Sequence, residues 1–388
     1  MTPLFQTPFR PFFLASTIYA CVIIALWAYF WVSPFSWAPY GGVVWWHGHE
    51  MLFGFVAAIV VGFLLTAVRN WTGVTAASGR SLVGLFTTWV IGRLLIIMGG
   101  DLSPILVFFG DQLFLILSAV AVTLPVLKVK QWRNLIFLPI LLTLAVLNGV
   151  SHYSILNNNG DQAMTALHAT IIVFILIVAI MGGRVIPLFT ANKMGLKTLP
   201  AIKWLEFLCL SLIVLLVPIA FVGFDHVPGE FLAGICFLAA FAHCWRLSRW
   251  GGARCVHIPL LWSLHLSYCF IPIGLVVLAL NSLNYVESYS PALHLWTVGT
   301  ISSMILAMIA RVTLGHTGRA LIVPKSLGFA FALILIAALV RGFIPILFPQ
   351  WSVWGIVAAS AGWLVAYGIF IVYFSPMLVS ARIDGRPG

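Results

Sequence analysis

Apolar runs long enough to cross a bilayer alternate with short polar breaks along the whole chain. They lie near residues 12–33, 50–68, 82–99, 104–127, 134–151, 163–183, 204–224, 230–247, 259–281, 291–310, 326–347 and 352–375. A helix needs about 20 such residues to span the hydrocarbon, where every backbone N–H and C=O must be paired within the segment. The pattern predicts an all-α polytopic membrane protein of about twelve transmembrane helices, one integral membrane domain over residues 1–388. The first run is too long for the core of a signal peptide and has no good cleavage site before the second. It is read as a retained span.

Composition agrees: 62% of the 388 residues are hydrophobic and 7% charged, against about 25% charged in soluble domains. A net charge of +11 could suit a nucleic-acid binder, but the distribution points to a lipid bilayer as partner and no nucleic acid. Arg10 precedes segment 1, and 17 more of the 20 Lys and Arg, from Arg69 to Arg246, Arg382 and Arg386, follow even-numbered segments. The breaks after odd-numbered segments carry none. The positive-inside rule then puts both termini in the cytoplasm. Cys21, Cys209, Cys236, Cys244, Cys255 and Cys269 fall in or beside apolar runs without Cys-x-x-Cys spacing. They read as small buried hydrophobes rather than a disulfide framework.

Against this apolar background the stretch Trp45-Trp46-His47-Gly48-His49-Glu50-Met51 stands out. Ionisable groups at a membrane helix end are costly and mark a site by default. Histidine is also the commonest ligand for transition metals and haem iron. The bland alternative is a wet helix cap, with Glu50 favoured by the helix dipole. The preceding loop, Ser33 to Gly42 with Pro34, Phe35 and Ser36, suits the outer headgroup layer. His152 and His226 also fall outside, and His168 and His294 open segments 6 and 10 just below that surface. His243, His257, His265 and His316 belong to the inner half.

Segments 2, 6 and 10 look related. Ala166-Leu167-His168 and Ala292-Leu293-His294 open two of them, and Arg184-Val185 and Arg311-Val312 close them. His49, His168 and His294 stand 119 and 126 residues apart, close to a third of the chain. This predicts three four-helix repeats, roughly 1–133, 134–254 and 255–388, around a pseudo-threefold axis.

Arg93 and Arg341 break the loop rule. Both lie in the outer half of ascending segments, either snorkelling to the headgroups or holding an anion through bidentate hydrogen bonds. Haem propionates would be such anions. Imidazoles converging from segments 2, 5 and 10 would take iron or copper, and the Met51 thioether would favour Cu(I). On a regular helix His47 shares a face with Glu50 and Met51, and His49 points nearly opposite. Bis-imidazole haem ligation would pair His47 or His49 with His294 or His152. His265, Tyr268 and Cys269 share one face of segment 9, where a core Tyr–His hydrogen bond explains the pair as well as a site does. Met304 and Met308 read as core packing. Leu314-Gly315-His316-Thr317-Gly318-Arg319 reads as a turn with polar tips, a weak anion-binding candidate.

These residues carry a family resemblance. Pro8-Phe9-Arg10-Pro11-Phe12-Phe13, Trp46 through Phe55, Gly62 through Gly73, Gly182 through Thr190, Leu261 through Tyr268, and His294 through Arg319 resemble the NnrS family in order and spacing. The resemblance covers nearly the whole chain. It implies a twelve-helix bacterial inner-membrane protein containing haem b and copper, tied to nitric oxide metabolism and nitrosative stress resistance during denitrification. His47, His49, Glu50, His152, His265, Tyr268, His294 and His316 would be the family's polar positions. His168 rests on the repeat argument alone. Haem–copper oxidase and nitric oxide reductase large subunits also ligate haem from helices 2 and 10. This chain departs from them, with no paired histidines in segment 7 and one histidine in segment 10. An oxidase-type binuclear centre is therefore not expected.

The resulting expectation is a haem- and copper-binding protein that turns over nitric oxide, with an electron donor the sequence does not name, or that binds or senses it. The competing readings are a transporter of an anion or metal ion using the His/Glu cluster, and a cofactor-free scaffold.

Overall fold

The structure, a computed structural model, describes residues 2–33, 37–99, 102–195 and 197–385. Pro34, Phe35 and Ser36 of the expected outer loop, and the basic Arg386, lie outside the described residues. Twelve helices are long and apolar enough to cross a membrane: α1 Phe9–Val32, α2 Val43–Thr72, α3 Arg80–Ile97, α4 Pro104–Lys128, α5 Trp132–Leu156, α6 Gly160–Met194, α7 Lys203–Val222, α8 Gly229–Ser248, α9 Pro259–Ser282, α10 Ser290–His316, α11 Lys325–Leu347 and α12 Pro349–Val379. No strand occurs among the described residues. The short breaks make most consecutive helices neighbours, and α1 also packs along α12.

Two ends differ from the hydrophobic pattern. Helix α2 begins at Val43, so His47 and His49 sit inside it rather than in a wet cap. Helix α6 runs 35 residues, through Gly182, Gly183 and Pro187 to Met194. At 1.5 Å per residue this is about 50 Å, longer than the hydrocarbon is thick. Two glycines and a proline read as a helix end, but here the glycines serve packing. A Cβ at Gly183 would stand 2.0 Å from Nη2 of Arg246, and one at Gly182 would stand 3.2 Å from the Tyr268 ring.

Two arginines, Arg246 and Arg10, depart from the expected layout. Arg246 is inside α8 rather than after it and is buried. It donates to Glu206 Oε1 at 2.8 Å, to the Ala179 carbonyl at 2.8 Å and to the Tyr268 hydroxyl at 2.6 Å. Arg10, expected before the first helix, lies in the first turn of α1 and is fully buried. Its Nη1 donates to the carbonyls of Leu378 at 2.9 Å and Ser380 at 2.5 Å. A guanidinium thus satisfies carbonyls that the end of α12 leaves open, joining the first helix to the last at the basic end of the bundle.

Helices α2, α9 and α10 form the centre, with 72–78% of their most apolar windows buried against 33–56% for the others. Two of these three, α2 and α10, carry His47, His49 and His294. Both also change pitch directly after them: Glu50–Val56 and Leu295–Ser302 are π-helical. Such wide turns are frequent at functional sites, where they re-aim the side chains around them.

Gly183→Ala tests this packing. The methyl group must displace Arg246 from its carboxylate and phenol partners, at a cost of about 1–3 kcal/mol. We expect a lower thermal unfolding midpoint in detergent, whereas Gly84→Ala, whose Cβ would meet nothing within 4 Å, should leave it unchanged.

Candidate metal centres

The histidines at the end opposite the basic loops separate into two places. In the first, α2, α3, α4 and α5 bring His49, Glu50, Arg93, Asp111, Asn148 and His152 into one network, all buried to 3% exposure or less. Arg93 Nη1 donates to Glu50 Oε1 at 2.6 Å, and its Nη2 donates to Asp111 Oδ1. His49 Nδ1–H donates to Glu50 Oε1 at 2.8 Å, and the Tyr19 hydroxyl donates to Glu50 Oε2. Asn148 Nδ2 donates to Asp111 Oδ2 at 2.6 Å and to Gln112 Oε1 at 2.9 Å.

Two features leave room for a further cation. With its Nδ1 proton given to Glu50, His49 turns Nε2 toward Asn148 Oδ1 at 2.9 Å and Asp111 Oδ2 at 3.3 Å. Both are acceptors, so a bare nitrogen lone pair there is repelled. A second ring proton or a metal ion resolves the conflict. The charges agree, since two carboxylates share one guanidinium among the described residues, and an unbalanced charge in a membrane interior is expensive.

The geometry suits a metal ion. His49, Asp111 and His152 each offer one ligand atom, all within 4.8 Å of one another. Asp111 Oδ2 stands 3.3 Å from Nε2 of both histidines. Ligand atoms about 2.0–2.2 Å from a tetrahedral ion lie about 3.3–3.6 Å apart. Each ring is also oriented through its other nitrogen, His49 by Glu50 and His152 by the Tyr40 hydroxyl at 3.3 Å. Outer partners of this kind set the tautomer of metal-bound imidazoles. Burial pushes the Tyr40 phenol up to about 12, so it stays a neutral partner at physiological pH. Trp45 covers His49 face to face, with ring centroids 4.4 Å apart.

The second place is a cavity of about 830 Å3 lined by α1, α2, α6, α10, α11 and α12. His47, Met51, His168, His294 and Arg341 face it, and the exposed Asp161, Asp225 and His226 stand at its rim. His294 Nδ1 donates to the Ser290 carbonyl at 2.8 Å, which leaves Nε2 as the ligating atom. His47 stacks on Trp27 at 4.1 Å, and its buried Nδ1 finds no hydrogen-bond partner. The buried Nε1 of Trp363, another lining residue, finds none either. No carboxylate among the described residues lies within ion-pair distance of Arg341. An apolar cavity with open imidazoles, an orphaned indole N–H and an unpaired guanidinium suits a large apolar ligand bearing anionic groups. Haem answers that description.

Several expectations are corrected. Glu50 does not share the face of His47 and Met51. The π turn begins at Glu50, and Arg93 draws the carboxylate round to His49. Arg93 neither snorkels nor is left for a propionate, because its anions are Glu50 and Asp111. Of the bis-imidazole pairings considered, His47 shares the cavity with His294, and His49 meets His152 with ring centroids 5.1 Å apart. His49 with His294, and His47 with His152, are not brought together in either place. Asp111 and Asn148 escaped the sequence reading, although a carboxylate inside an apolar run is itself a signal.

The histidines and tyrosine toward the basic end do not form one site. His265 Nδ1 donates to the Leu261 carbonyl at 3.0 Å, the usual helical back-bond of a packed side chain. Tyr268 bonds His243 Nδ1 at 2.7 Å rather than His265. His316 ends α10 and packs on Phe9 with centroids 5.6 Å apart.

Arg93→Met would leave two buried carboxylates without their shared cation, at a cost of about 3–5 kcal/mol. Arg93→Lys should recover only part of the unfolding midpoint, because an ammonium cannot span both acids as the planar fork does. Full recovery by lysine would contradict the bridging role.

None of the curated proteins compared with the chain matches it. A family model described as NnrS protein matches residues 3–382, nearly every residue from the N-terminal segment to the end of the last helix. With its twelve membrane helices and buried His/Asp/His cluster, this chain belongs to the NnrS family.

Proposed function

We propose that this is a haem b- and copper-binding protein of the bacterial inner membrane, with both termini in the cytoplasm, that acts on or responds to nitric oxide. The observation that carries the reading is the cavity: three imidazoles and an unpaired Arg341 around about 830 Å3 of apolar space. His294 is the best-prepared haem ligand, since its Nδ1 proton is already committed to a carbonyl. His47 or His168 would serve on the other side, and Arg341 and the Trp363 indole would hold the propionates. His49, Asp111 and His152 would hold copper through nitrogen and oxygen donors, a set suited to Cu(II). Met51 faces the haem cavity, so a thioether contributes there and not at the His/Asp cluster.

When bound, the two metals supply sites that bind nitric oxide and exchange electrons with it. The chain's residues do the rest. Trp27, Trp363 and the apolar walls exclude water, while His226 and Asp225 leave a polar rim. Nitric oxide is small and enters lipid, so it reaches an intramembrane site without a polar channel. Support for nitric oxide comes from the family, and support for the orientation comes from the loop charges. Arg341 also gives a transporter reading some footing, because an unpaired guanidinium can hold a passing anion.

A visible spectrum with metal analysis separates these readings. We expect a Soret band in the purified protein, lost or shifted in His294→Ala, and bound copper lost in His49→Ala and His152→Ala with the Soret band retained. Glu50→Gln should weaken copper affinity by about 10–100-fold. A colourless, metal-free preparation of well-folded protein would overturn the proposal, and anion uptake into vesicles by such material would favour transport.

A further inference from the structure

A second, smaller cavity of about 230 Å3 lies at the basic end, where α2 and α10 finish. Its wall is formed by Thr7 beside the start of α1, Thr66, Arg69 and Asn70 of α2, His316 of α10, and Arg382 beyond α12. No carboxylate among the described residues lines it. The helix ends explain part of this basicity. Arg382 Nη1 donates to the His316 carbonyl at 2.9 Å, and its Nε and Nη2 hold Asp384. Capping does not explain the rest. Thr7 is only 6% exposed, yet its hydroxyl has no hydrogen-bond partner. Neither ring nitrogen of His316 bonds to the protein among the described residues.

We propose that this cavity binds a phosphate-bearing anion. Guanidinium N–H groups hold oxyanions by charge-assisted hydrogen bonds. Arg382, with its Nε–Nη2 fork on Asp384, keeps one further N–H on each terminal nitrogen. The Arg69 guanidinium, an imidazole, a buried hydroxyl and the Asn70 amide add donors around it. The volume admits a phosphoryl group with a few carbons and excludes a nucleotide. The chemistry fits the headgroup of an anionic phospholipid, as basic pockets between membrane helices do, and it equally fits free inorganic phosphate. This site is independent of the metal centres.

The test uses full-length protein in lipid-stripped detergent micelles. One arm titrates inorganic phosphate against chloride at equal ionic strength and follows the thermal unfolding midpoint. The other counts phospholipids retained in native mass spectrometry after exchange into bilayer discs of phosphatidylglycerol or of phosphatidylcholine. A saturable rise with phosphate identifies the free anion, and selective retention of one phosphatidylglycerol identifies the headgroup. Either supports the site. Thr7→Val keeps the shape and removes the hydroxyl, and should weaken the responding arm by at least about tenfold. Arg382→Gln should weaken it further. No saturable response in either arm, or Thr7→Val and Arg382→Gln behaving as wild type, overturns the proposal.

Discussion

Arg93 holds two acids inside a membrane, and the arrangement of α1 through α5 follows from it. Glu50 and Asp111 come from different helices, and each would be costly alone in low dielectric. The guanidinium bridges them, Tyr19 adds a hydrogen bond from α1, and Asn148 adds one from α5. Five helices are thereby tied at one depth by polar contacts whose loss leaves buried charge rather than wet charge. The same bridge fixes His49, because Glu50 accepts its Nδ1 proton and turns Nε2 toward Asp111.

The two centres at the end opposite the basic loops have opposite deficits. Around His49 and His152 there is one more carboxylate than cation, and two acceptors face one imidazole nitrogen. In the cavity around His47 and His294 there are donors and a guanidinium that no carboxylate among the described residues pairs with, the acids Asp161 and Asp225 of its lining lying out of ion-pair reach. A small cation answers the first and a large anionic ligand the second. One helix serves both, because the two imidazoles of the His-x-His pair, two positions apart on a helix, point apart, and the π turn after them carries Glu50 on the side of the cluster. The physical content of the metal proposal is this pairing of unmet demands, more than the number of histidines.

Much of this was legible in the chain. The twelve spans, their order and the segregation of basic residues follow from apolar runs and charge alone, since lipid permits few alternatives to a closed helix. The importance of His47, His49 and Glu50 was legible for the same reason, and so was the divergence of the two imidazoles, which needs only the helical repeat. Arg10 and Arg246 were misplaced because charge counting assigns basic residues to loops. Each instead lies inside a helix with carbonyls or an acid waiting for it, and that compensation comes from residues 40 to 370 positions away.

Hydrophobic pattern and charge thus determined the membrane class, the number of crossings and which residues were too polar for their surroundings. Partnership was decided only in three dimensions. Asp111 joins Arg93, His49 and His152 because α4 packs against α3 and α5, and Tyr268 turns to His243 and Arg246 because α8 packs along α9. A helical period reveals the face a side chain occupies, but the energy of a buried charge depends on what stands opposite that face, and the opposite residue belongs to another helix.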